Sequence, residues 1–154
     1  MAQKSKLRIK TMRHFVLAAA AMVFSANAFA EFRSIGENAT IFYDAPSTRA
    51  SKLFVVSRDL PVEIITTDAT WTKVRDSSGS LAWVEKKALS EKRTVLVTAP
   101  IAQVRERADE QAPLLFQLQQ GVVADLLDSG GGWARIQHAD GSTGYLRIQQ
   151  VWGL

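Results

Sequence analysis

The sequence predicts an all-β protein built as two small five-stranded barrels in tandem, and three observations lead there. The chain repeats itself at an offset of 62 residues. Each copy is cut by turn signals into short runs rich in Val, Ile, Leu and aromatic residues. After residue 30, no window keeps a 3.6-residue period for the ten or more residues a helix needs.

The first thirty residues stand apart from this pattern. Lys4, Lys6, Arg8, Lys10 and Arg13 precede the apolar run FVLAAAAMVF, and the segment closes on the small residues of Ala28-Phe29-Ala30 before Glu31. This is the layout of a cleaved signal peptide over residues 1–30, with cleavage expected after Ala30. The apolar run is too short to cross a hydrocarbon core comfortably, which needs about 20 apolar residues. A start at Met12 instead of Met1 gives a leader of more usual proportions. The expected product has 124 residues and is exported, periplasmic or secreted, with no stable membrane anchor after cleavage.

Charge changes with the leader. The whole chain carries 19 basic and 15 acidic residues. Five of the basic residues and none of the acidic ones lie in the leader, so the product is slightly acidic. That balance argues against a nucleic-acid partner, which needs a basic face. The chain has no cysteine, so no disulfide framework and no lipid-modified cysteine is expected.

The repeat lays residues 39–89 over residues 101–151 without a gap. Ala50 meets Ala112, Leu53 meets Leu115, Phe54 meets Phe116, Trp71 meets Trp133, Gly79 meets Gly141 and Ser80 meets Ser142. Lys73 over Arg135, Val74 over Ile136 and Trp83 over Tyr145 are close substitutions. Two domains follow, at residues 35–90 and 95–154. In the second, strands are expected over residues 101–104, 114–118, 122–127, 133–137 and 144–148. The turns Asp76-Ser77-Ser78-Gly79 and Asp140-Gly141 supply glycines for the positive φ of a tight hairpin. Five short strands close most economically as a barrel, which leaves few free edges. A unit of this size buries little of its surface, so the two barrels are expected to pack together across the link Ser-Glu-Lys-Arg-Thr at residues 90–94.

The residues then carry a family resemblance. An extended Val104-Arg105 segment, a loop, the aliphatic pair Leu126-Leu127, Gly-Gly-Trp ending at Trp133, the pair Arg135-Ile136, Asp140-Gly141 and Gly144-Tyr145 resemble the bacterial SH3-like family. The first copy departs from it with Asp68-Ala69-Thr70 before Trp71, Ala82 before Trp83, and Phe42-Tyr43-Asp44-Ala45-Pro46 in place of the Val-Arg segment. The resemblance implies an SH3-like barrel fold and a non-catalytic module of exported envelope proteins. In some relatives such modules bind cell-wall peptide or peptidoglycan.

The candidate ligand-binding residues are Tyr43, Trp71, Trp83, Trp133 and Tyr145, with Lys73 and Arg135 beside them. Side chains alternate along a strand, so Trp71 and Val74 face opposite ways, as do Trp133 and Ile136. With Val74 and Ile136 in the cores, the tryptophans lie off the core faces. Such rings stack on sugars or hold an extended peptide. They equally serve as barrel lids or as packing between the copies, and both roles stay open at this level. Lys73 and Arg135 share the parity of their tryptophans and are placed for a cation–π contact or for a carboxylate. A second kind of function stays open, a structural adaptor that contacts another exported protein by strand addition or by an apolar patch such as that around Trp152.

Enzyme function is not expected. Residues 31–154 hold one histidine, His138, with no cysteine, no zinc spacing and no Gly-x-Ser-x-Gly elbow, and Asp125 and Asp128 form no catalytic pair. No metal and no cofactor is called for.

Overall fold

The computed structural model describes residues 30–154, so the predicted leader and its two possible starts lie, apart from Ala30, outside the described residues. The described chain is all-β with no α-helix, and it forms two seven-stranded antiparallel sheets, one per copy. The first holds β1 (Glu31–Ile35), β2 (Thr40–Tyr43), β3 (Lys52–Val56), β4 (Pro61–Thr67), β5 (Trp71–Arg75), β6 (Leu81–Glu85) and β7 (Leu89–Ser90), in the order β3-β2-β6-β5-β4-β1-β7. The second holds β8 (Thr94–Val97), β9 (Ile101–Arg105), β10 (Leu114–Gln119), β11 (Val123–Gly130), β12 (Trp133–Gln137), β13 (Thr143–Arg147) and β14 (Val151–Trp152), in the matching order β10-β9-β13-β12-β11-β8-β14.

The five strands expected in the second copy are present as β9 to β13, with ends within three residues of those read from the pattern. The additional strands β1 and β8 precede the aligned repeats, and β7 and β14 are two-residue strands after a 3-10 turn. Strands that short carry no readable alternation. The hairpins form where the turn residues lie. Gly79 and Gly141 take φ of 87° and 90°. The Asp76 carboxylate accepts the backbone N–H groups of Ser78 and Ser80, and Asp140 accepts that of Ser142.

Each copy has its own core. In the first, Ile35, Phe42, Val62, Val74, Ala82 and Val84 meet; in the second, Val95, Val97, Val104, Ile136 and Leu146 do. Because strands from across each sheet send residues to one cluster, each sheet wraps around its core, and the alternate residues face outward.

Ala82 and Gly144 occupy the same place in the two copies, and the difference is physical. A Cβ at Gly144 would lie 2.5 Å from Val104 Cγ1 and 2.8 Å from the Arg105 carbonyl oxygen. Gly144→Ala is therefore expected to destabilise the protein by about 1–3 kcal/mol through overpacking, read as a lower denaturation midpoint.

The two copies are joined by a seam on the outward faces of β1 and β8. Phe32 meets Trp152 edge to face at a centroid distance of 5.0 Å, and the Arg93 guanidinium lies 5.8 Å from the Phe32 ring. The buried Thr94 hydroxyl donates to the Asp59 carbonyl at 2.7 Å, and the buried Ser34 hydroxyl donates to the Lys92 carbonyl. Arg93 Nη2 donates to the Gly153 carbonyl at 2.9 Å. Lys92 bridges Asp59 at 3.2 Å and Asp125 at 2.8 Å. Hydrogen bonding to Asp125 is the main reason its ammonium holds its proton above the usual lysine range. The rings at this seam are Phe32 and Trp152, not the candidate ligand residues, and Trp152 is turned against the first copy.

Candidate functional site

Strand pairing brings the first copy's candidates together. Tyr43 on β2, Trp83 on β6 and Lys73 on β5 are cross-strand partners in one row. Trp71 and Glu85 form the next row. All five stand on the outward face, since their neighbours Phe42, Val74, Ala82 and Val84 fill the core. Trp71 and Trp83 are half-buried, whereas Tyr43 is buried and meets Trp71 edge to face at 5.5 Å. Ile41 and the exposed Leu53 and Val55 extend the face toward β3. A shallow hollow of about 190 Å³ lies beside Tyr43, lined by Thr40, Ile41, Glu85 and Lys87 among others. The surface is an aromatic shelf with a shallow recess at one end.

Trp71 owes its position to a side chain that replaces glycine. Asp68 Oδ1 accepts the backbone N–H groups of Thr70 at 2.8 Å and Trp71 at 2.7 Å, which closes the turn into β5. These two bonds, aided by Lys86, hold the Asp68 carboxyl below the ordinary carboxylate range. The turn is thus fully supported above the ordinary carboxylate pKa and loosens as pH falls through the depressed value. In the second copy, Gly131 and Gly132 make the equivalent entry with φ of 59° and 84°.

The second copy repeats the arrangement with different residues. Arg105 on β9, Tyr145 on β13 and Arg135 on β12 form the first row, and Trp133 and Arg147 the second. Trp133 is off the core face as expected, yet it is only 7% exposed. The Arg147 guanidinium lies 4.4 Å from the centre of its ring. Arg147 is itself held by Glu110, whose Oε1 accepts from Nε at 2.6 Å and lies 2.5 Å from Nη2.

The cation–π partners differ from those anticipated. Lys73 lies 5.9 Å from the ring of Trp83, not against Trp71, and Trp133 is covered by Arg147, not by Arg135. Residues two apart on a strand are separated by about 6.6 Å along it, while residues opposite each other on paired strands have Cβ atoms about 4.5–5.5 Å apart. Cross-strand partners therefore win. Sequence reasoning missed Arg147 as the cover of Trp133, although the turn at Asp140-Gly141 fixes the register that sets residue 147 opposite residue 133.

His138 sits at the mouth of its hairpin with Nδ1 3.3 Å from Asp140 Oδ1, and Asp125 is engaged by Lys92. Among the described residues, no group of three or more His, Cys, Asp or Glu side chains is placed to hold a metal ion. No helix among them is long and apolar enough to cross a membrane.

Comparison with known proteins adds the following. No curated protein matches the chain. Among solved structures, it is similar to NlpC2 from Trichomonas vaginalis at 16% identity and a TM-score of 0.35, over 79% of this chain and 46% of that one. It is similar to NlpC1 from the same organism at 15% identity and a TM-score of 0.36, over 82% of this chain and 47% of that one. It is also similar to an NlpC/P60 family protein from Bacillus cereus at 16% identity and a TM-score of 0.34, over 79% and 56% of the two chains. The chain thus spans about half the length of these structures. The bacterial SH3 domain family matches twice, over residues 37–91 and again over residues 98–153, and with both sheets and both outward faces accounted for, the chain belongs to that family as a tandem pair.

Proposed function

We propose that the protein is an exported, non-catalytic binding module whose first copy holds an extended segment of cell-wall peptide or peptidoglycan on its outward aromatic face. Bacterial SH3 domains are generally binding modules, often of the cell wall, and often occur in exported proteins. The observation that carries the reading is the placement of Tyr43, Trp83 and Lys73 in one row beside Trp71. Two half-buried indoles offer stacking area, Lys73 offers a charge for a carboxylate, and the recess at Tyr43 offers an end stop.

The first copy is favoured over the second because its rings are less covered. Trp133 lies beneath Arg147, while Trp71 and Trp83 keep part of their surface free. The test is retention of the purified protein on insoluble peptidoglycan. Trp83→Ala is expected to weaken retention about tenfold, since central aromatic anchors dominate such surfaces, with circular dichroism unchanged. Tyr145→Ala, at the matching place in the second copy, is expected to retain binding. No retention of the unaltered protein, or equal retention of the Trp83→Ala form, defeats this reading.

A second reading, a structural adaptor for another exported protein, is favoured by β3. This edge strand exposes Leu53, Phe54 and Val55, the last at 67%, carries no proline, and has Lys52 and a bulge only at its start.

A further inference from the structure

The two outward faces have diverged in charge, and the divergence is directed. Residues 95–154 contain four basic residues, all arginine, against six acidic ones. Three of those arginines, Arg105, Arg135 and Arg147, stand together on the outward face around Tyr145 and Trp133. Their counterparts in the first copy are Tyr43, Lys73 and Glu85. A copy that is acidic as a whole has therefore gathered its cations on the surface where the other copy carries rings and balanced charge.

We propose that this face is a second, separate binding site, and that its ligand is an extended acidic peptide held by carboxylates on Arg135 and Arg105, with Arg147 as a third position. Arg135 is exposed and makes no ion pair or side-chain hydrogen bond among the described residues. Asp128 stands across from it on β11, but its carboxylate accepts the Ser129 backbone N–H at 2.8 Å instead. Arg105 is braced by neutral partners, the Ala112 carbonyl and the Gln103 side chain, so its charge is uncancelled. Tyr145 lies between the two on the intervening strand.

Glu110 shows which ligand chemistry the face accepts. A carboxylate from the loop after β9 already sits on Arg147, in an ion pair whose two side chains are 37% and 55% exposed. Exposed pairs of this kind are weak and exchangeable. An incoming carboxylate can take the place of Glu110 while Arg147 stays stacked on Trp133. Arg105 and Arg135 are two strand spacings apart, about 10 Å, which matches acidic residues three positions apart on one side of a polyproline II chain, about 9.3 Å. The planar guanidinium fork suits carboxylates.

The probe is a fluorescein-labelled peptide of repeating Glu-Gly-Gly, titrated against the purified protein by fluorescence polarisation, with the Gln-Gly-Gly peptide as control and polyphosphate as competitor. Binding of the glutamate peptide alone is expected. Arg135→Gln is expected to weaken it about tenfold, as loss of a charge-assisted bond does, and Glu110→Gln is expected to tighten it severalfold by releasing Arg147. Arg135→Gln removes an exposed side chain, so a folding defect does not confuse the result. The proposal is overturned by absent binding, by equal affinity in the Arg135→Gln and Glu110→Gln forms, or by polyphosphate competing as well as the peptide at equal charge, which would mark a diffuse attraction to any anion.

Discussion

Trp133→Ala is expected to lower the stability of the protein by about 3–5 kcal/mol, the range for emptying a buried aromatic site. The residue looks like a ligand shelf in the sequence, because it has the parity of an outward side chain and a basic residue two positions on. In the fold it is 7% exposed and sealed by Arg147 at 4.4 Å. Removal of the indole would leave a cavity under Arg147, and the guanidinium would lose its cation–π partner together with its packing surface. Urea denaturation monitored by far-ultraviolet circular dichroism gives the number. A change below 1 kcal/mol would show that the indole is free in solution. The same geometry makes Trp133→Ala a poor test of binding, since any loss of retention would follow from loss of fold.

Phe32→Ala should have a comparable effect, about 3–5 kcal/mol, by a different route. Phe32 is 6% exposed, yet it belongs to neither copy's core cluster, since Ile35, three residues on and of opposite parity, fills that place. It is buried by Trp152 and Arg93 at the seam. The substitution should therefore uncouple the copies before it unfolds either of them. Thermal unfolding that is one cooperative transition in the unaltered protein is expected to broaden or split in two, and a single sharp transition at an unchanged midpoint would show that the seam contributes nothing.

Much of this architecture was readable in the residues. The gapless repeat from Ala50 over Ala112 to Ser80 over Ser142 carries the duplication, and the glycines at 79 and 141 mark hairpins because their positive φ has few other uses. Val74 and Ile136 fixed which face is inward, and with it the common side of Trp71, Lys73 and Trp83. Three things were not readable. β1 and β8 share too little identity to extend the repeat, and their burial comes from the seam as much as from the cores. Asp68 does by side-chain hydrogen bonds what glycines do in the second copy, a substitution of mechanism that composition conceals. The covering of Trp133 depends on Arg147 across the strand pair and Glu110 in a distant loop, so it needs the register and not just the alternation.

The contact between Phe32 and Trp152 also has a cost in time. The first copy is complete once Ser90 has been made, but Trp152 is the length of a whole repeat later in the chain. At the usual pace of synthesis the delay is about 3–12 s. During that interval the first sheet can close with Phe32 still open to solvent, an aromatic beacon on a half-finished protein. A first copy folded without the second therefore exposes a ring open to chaperones and proteases, and the docking of Trp152 covers it.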